Sequence, residues 1–84
     1  IVTDPEMDAA VPADALRTRY SFSATEARLA QSLSRGVPLR EAADTAGLTY
    51  ETARWYLKGM FQKTGTARQT DLVRLLLGDN WLMR

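Results

Sequence analysis

Neither cysteine nor histidine occurs among the 84 residues. Their absence removes disulfides, thiolate zinc sites, thiol nucleophiles and imidazole bases together, and with them Ser-His-Asp chemistry. An enzyme would have to work with Asp, Glu, Lys, Tyr or Ser alone. No nucleophile–base pair or metal set stands out among these, and the carboxylates are scattered over helix starts and surface positions. No apolar run approaches the length of a membrane span. The N-terminus is acidic and interrupted by Pro5 and Pro12, unlike the basic-then-apolar order of a signal peptide. The expectation is a soluble, non-catalytic domain compatible with a reducing cytoplasm, with no cofactor, metal, membrane partner or small-molecule ligand.

A hydrophobic content of 45% suffices for one small domain with a modest core. Net charge is only +1, which by itself gives no reason to propose nucleic acid, but its distribution is uneven. Residues 1–22 carry four acids (Asp4, Glu6, Asp8, Asp14) against two arginines, whereas residues 50–84 carry six cations (Arg54, Lys58, Lys63, Arg68, Arg74, Arg84) against three acids. A basic C-terminal half is the footprint of a nucleic-acid binder, or simply a solvated helix face.

Residues 1–21 contain two prolines and no sustained apolar period. They read as a linker or arm from a missing upstream domain, with at most a helical turn near Asp14 to Arg19. Order is expected from Ser23, where Ser-Ala-Thr-Glu has the form of a capping box, opening a helix of about 24–35 with Ala27, Leu29, Ala30 and Leu33 inward and Gly36 beyond its end. Pro38 suits the first turn of a second, short helix carrying Leu39, Ala42, Ala43 and Ala46, which stops at Gly47. Thr49 is placed to cap a third helix of about 50–63, with Ala53, Leu57, Met60 and Phe61 inward and Tyr50 and Tyr56 at the edges. Gly65 ends it, and Thr66-Ala-Arg-Gln69 repeats the capping-box pattern before a fourth helix through Leu72, Val73, Leu75, Leu76 and Leu77 up to Gly78. Residues 79–84 form a short apolar tail of unassigned structure, and no strand signal appears between Ser23 and Gly78.

The expected fold is therefore all-α, a compact four-helix bundle over residues 22–78. Ala43, Gly47 and Leu48 supply what a steep helix-turn-helix crossing needs: a small contact residue, a chain reversal and an apolar residue just after it. An ordinary helical hairpin would show similar spacing. At roughly 100° per residue, the outward side of the third helix carries Glu51, Trp55, Lys58 and Gln62, with Arg54 on its flank. Such a helix fits the major groove, where Arg and Lys donate to guanine and Gln pairs with adenine. The alternative makes these residues solubilising, with Trp55 packed against Arg19 or the N-terminal arm.

Over residues 22–77, roughly two-thirds of the chain, the sequence resembles the LuxR-type DNA-binding domain of bacterial transcription regulators. The matching pieces are Phe22-Ser-Ala-Thr-Glu26, Gly36, Glu41-Ala-Ala43, Gly47-Leu48-Thr49, Thr52-Ala53-Arg54, Leu57-Lys58, Met60-Phe61, Lys63-Thr-Gly65, Arg68 and Leu72-Val73, in that order. The resemblance implies a four-helix domain whose third helix reads the major groove of double-stranded DNA and whose last helix pairs two copies. It puts Arg54, Trp55 and Lys58 at base-contacting positions, to which the outward face adds Glu51. It puts Thr49, Thr52, Lys63 and Arg68 at phosphate-holding or helix-end positions, to which the same face adds Gln62; cap roles are equally open to Thr49 and Arg68.

Four residues depart from the family pattern: Pro38 for the common Ser at a helix start, Trp55 for a smaller residue, Tyr56 for the frequent His, and Gly59 inside the reading helix. Gly59 costs about 1 kcal/mol relative to Ala. It either admits a close phosphate approach or leaves the free helix loosely held. The last helix has more apolar surface than one core needs, so Val73, Leu76, Leu77 and Trp81 are the candidates for a two-fold homodimer contact, unless the tail folds back over that helix. The functional expectation is sequence-specific DNA binding in the bacterial cytoplasm; the alternative is a protein-interaction module that kept the fold without the DNA function.

Overall fold

A computed structural model describes residues 11–78, which form five α-helices and no strand: α1 Ala13–Tyr20, α2 Ala24–Ser34, α3 Leu39–Thr45, α4 Tyr50–Thr64 and α5 Gln69–Gly78. The all-helical expectation holds, with one more helix than the four anticipated. Among the described residues, no helix is long and apolar enough to cross a membrane.

The extra helix is α1, where the sequence suggested no more than a turn. Its composition is largely charged or small, and Leu16 is its one fully buried residue. Position decides the matter: Leu16 and the preceding Val11 enter the common core, and Gln31 Nε2 donates to the Val11 carbonyl at 2.8 Å. Tertiary packing can stabilise a helix that propensity and pattern do not announce. Order thus begins at least twelve residues before Ser23.

The centre of the molecule is α2, which contacts every other helix. Its start is the capping box expected from the sequence, with the Ser23 hydroxyl accepting the Glu26 amide at 3.1 Å and the Glu26 carboxylate accepting the Ser23 amide at 2.8 Å. Ala27, Leu29, Ala30 and Leu33 are buried as anticipated, against Ala42 and Ala43 of α3, Ala53, Leu57 and Met60 of α4, and Leu72 and Leu76 of α5. Alanines at these contacts allow close helix approach, so a small chain reaches a closed core.

Two helix starts differ from expectation. Pro38 is not inside α3 but one residue before it, with extended backbone (ψ 151°), and its carbonyl takes the first helical hydrogen bond from Ala42 at 2.9 Å. No side chain caps this helix. In α5, the Thr66 pattern does not act as a capping box: the Thr66 hydroxyl pairs with Thr64 Oγ1 at 2.8 Å, and the helix opens with the Arg68 carbonyl accepting from Leu72 at 3.0 Å. The helix begins only at Gln69, so Arg68 stands at the flanking position and Thr66 lies two residues too early to cap it.

The α3–α4 connection follows from one residue. Gly47 takes φ 75°, a left-handed conformation in which a Cβ would be strained, and this lets the Leu48 amide reach back to the Ala43 carbonyl at 2.8 Å. Ala43 is 1% exposed beneath this turn, and Leu48 is half-buried beside the core. Gly65 (φ 73°) closes α4 in the same manner, with Thr66 donating to the Phe61 carbonyl at 3.1 Å. The sequence-derived stops at Gly47 and Gly65 are both realised.

Candidate nucleic-acid interface

The face of interest is built on α4, which is fixed at both ends. At its start, the Thr49 side chain accepts the Thr52 amide at 3.1 Å and donates its own proton to Thr52 Oγ1 at 2.9 Å. The Thr49 hydroxyl is thus engaged as a cap. The Thr52 hydroxyl, exposed, keeps its proton for a donation outward.

Near the other end, Lys63 is committed to the protein itself. Its Nζ lies 2.6 Å from Glu26 Oε1 and donates to the Ser21 carbonyl at 3.0 Å. The Glu26 side chain is 7% exposed and that of Lys63 37%. Ser21 has the left-handed φ of 62°, uncommon for a residue with a side chain, and its carbonyl is one of the two acceptors held by the amine. Glu26 therefore joins the start of α2 to the end of α4. Gly59 belongs to this node: a Cβ there would come within 3.1 Å of Glu26 Oε2. The glycine makes room for a buried carboxylate, an inward role that neither sequence reading of Gly59 foresaw.

Between these ends, α4 divides sharply. Ala53, Leu57 and Met60 are buried, whereas Glu51, Arg54, Trp55, Lys58 and Gln62 are exposed. Trp55 is 69% exposed, and its indole meets the neighbouring Tyr56 ring edge-on at 5.2 Å. An indole so exposed is not packed beneath Arg19, one alternative raised by the sequence; residues 1–10 of the N-terminal arm, the other, lie outside the described residues. An open groove of about 660 Å³ runs along the α4 flank, with Tyr50, Arg54, Trp55, Lys58 and Phe61 on its wall.

Arg40, which sequence reasoning did not single out, joins this face from α3. Its guanidinium stacks over the Tyr50 ring at 4.1 Å, and Arg54, one turn on from Tyr50, lies 6.0 Å from the same centroid. The signal was an arginine on the solvent side of the short helix, and the fold was needed to bring it to α4. Arg68 stands apart at the start of α5, 81% exposed, with Nε 3.5 Å from Asp71 Oδ2, a contact of little energetic weight at such exposure.

The candidates on α5 separate. Leu76 is fully buried in the chain's own core and offers nothing to a second copy, because it shares its row with Leu72. Val73 is half-buried and Leu77 is 53% exposed, so these two keep surface for a partner. Trp81 and the rest of the tail lie outside the described residues.

No family model, curated protein or solved structure matches the chain.

Proposed function

We propose that this chain is a sequence-specific double-stranded DNA-binding domain of LuxR type, the output module of a bacterial transcription regulator acting in the cytoplasm. In this reading α2 to α5 are the four-helix bundle. Residues of α3, the Gly47 turn and α4 make the helix-turn-helix, and α4 is the recognition helix. The observation that carries the proposal is the division of α4: a buried Ala53–Leu57–Met60 side fixes the rod, and an exposed side presents Arg54, Trp55, Lys58 and Glu51 together.

In the major groove Arg54 and Lys58 donate to guanine edges, Trp55 offers an apolar face for a thymine methyl, and Glu51 accepts from cytosine. Thr52, Gln62 and Arg68 take phosphates, which supply affinity without sequence information. Thr49 and Lys63 serve by holding the two ends of the rod. Two copies associate through Val73 and Leu77 of α5, with Trp81 beside them in sequence, so that two α4 helices address adjacent half-sites.

Selection of duplexes from a random pool, followed by mobility-shift titration at fixed salt, tests this. A single enriched motif is expected, and Arg54→Ala with Lys58→Ala together should weaken binding by about 2–6 kcal/mol, at 1–3 per contact, while circular dichroism stays unchanged. Wild-type affinity in a folded double variant would remove α4 as the reading helix. A protein-interaction module is the second reading, favoured by Leu77 at 53% exposure together with a net charge of +1. Sedimentation separates the two, since such a module would self-associate, lose association on Leu77→Glu, and ignore duplex at low salt.

A further inference from the structure

The Tyr50 ring has two cations from different helices within 6.0 Å of its centroid. Arg40 comes from α3 and Arg54 from α4, at 4.1 and 6.0 Å from its centroid. Both arginines are exposed, and neither has a carboxylate of the described residues within ion-pair reach. Two guanidinium groups drawn to one ring repel each other, and the arrangement is best satisfied when an anion sits beside them. Tyr50 is half-buried at the first position of α4, so its ring is anchored by the fold. Arginine on an aromatic face keeps the edge of its planar fork free for bidentate donation to a phosphate.

Resting on the DNA reading above, we propose that Arg40 is a further DNA-anchoring residue that takes a backbone phosphodiester, and that Tyr50 is a positioning residue fixing Arg40 relative to the base-reading Arg54. The register of the protein on the backbone and the aim of its reading arginine are then set from one ring. The ligand chemistry is a phosphodiester at the edge of the groove that α4 enters. Base-specific contact is not required of Arg40, because a phosphate contact fixes register without reading sequence.

The test uses the 84-residue chain, its selected duplex and a duplex altered at the base pair whose preference Arg54→Ala relaxes. Arg40→Ala should weaken both duplexes by the same factor. It should also make the plot of log affinity against log salt shallower by about 0.9, one phosphate's worth of released counterions. Tyr50→Ala should weaken binding and also shrink the ratio between the two duplexes, with Tyr50→Phe restoring both because the ring and not the hydroxyl is used. Where Tyr50→Ala lowers the helical signal, Tyr50→Leu keeps apolar bulk without a π face and takes its place. An unchanged salt slope in Arg40→Ala overturns the phosphate role, and so does a change in its duplex ratio, which would make Arg40 a base reader. A wild-type ratio in folded Tyr50→Ala or Tyr50→Leu overturns the positioning role. A wild-type chain that ignores every duplex sinks the DNA reading and this inference with it, whereas wild-type binding with an indifferent Arg40 sinks the inference alone.

Discussion

A glycine inside a fifteen-residue helix invites replacement by alanine, and at Gly59 the invitation should mislead. Propensity alone credits Gly59→Ala with about 1 kcal/mol. The new methyl, however, would stand 3.1 Å from Glu26 Oε2, tighter than ordinary contact, so that carboxylate must yield. It has little room to do so, because its other oxygen accepts from the Ser23 amide at 2.8 Å and from Lys63 Nζ at 2.6 Å. Charge-assisted hydrogen bonds contribute about 1.5–3 kcal/mol each. The partial exposure of Lys63 argues for the lower half of that range, so losing one such bond costs about 2 kcal/mol. Gly59→Ala should therefore destabilise the wild-type chain by about 1 kcal/mol, the difference between that loss and the helix gain. In a Glu26→Ala background the obstacle is gone, and the same substitution should stabilise by about 1 kcal/mol. Urea unfolding of the four proteins, followed by far-ultraviolet circular dichroism, gives a coupling of about 2 kcal/mol in this scheme. Equal stabilisation by Gly59→Ala in both backgrounds would refute the claim that the glycine exists to seat Glu26.

Leu16→Ala removes a fully buried side chain from α1 and should cost about 2–5 kcal/mol in the same urea assay; a loss under about 0.5 would mean that α1 is not part of the cooperative fold. Thr49→Ala should cost about 1 kcal/mol as a lost cap in the same urea assay, whereas unchanged stability together with weaker duplex binding would show a phosphate contact at Thr49 instead.

What could be read from the chain was whatever local chemistry dictates without competition. Ser23 and Glu26 satisfy each other's amides within one turn, and Gly47 and Gly65 adopt the only conformations that let the next amide reach back, so three helix boundaries were legible from a few adjacent residues. The same logic failed at Thr66 because α5 begins only at Gln69, with Arg68 and not Thr66 flanking it, a start that the T-x-x-Q pattern does not display. It failed at α1 because one buried leucine makes no period; only Val11, Leu16 and the hydrogen bond from Gln31, twenty residues away from Val11, make that segment part of the fold.

The exposed row of α4 was legible in full, since an alternation of buried and exposed sides is what a 3.6-residue period encodes. The residues around that row were not, because their roles depend on separations no helix period spans. Lys63 meets Glu26 across 37 positions, and Arg40 meets Tyr50 across an intervening turn. One hint was available for the first of these. A capping-box glutamate on one helix, followed far downstream by a glycine and a lysine four apart on another, gives a carboxylate and a helix face that offers it a gap and a counter-charge. For Arg40 no such pattern exists, since its significance begins only where Gly47 has reversed the chain and set α3 against α4. The residues that aim a helix are therefore harder to read than the residues it presents, because aim is a relation between elements and presentation a property of one.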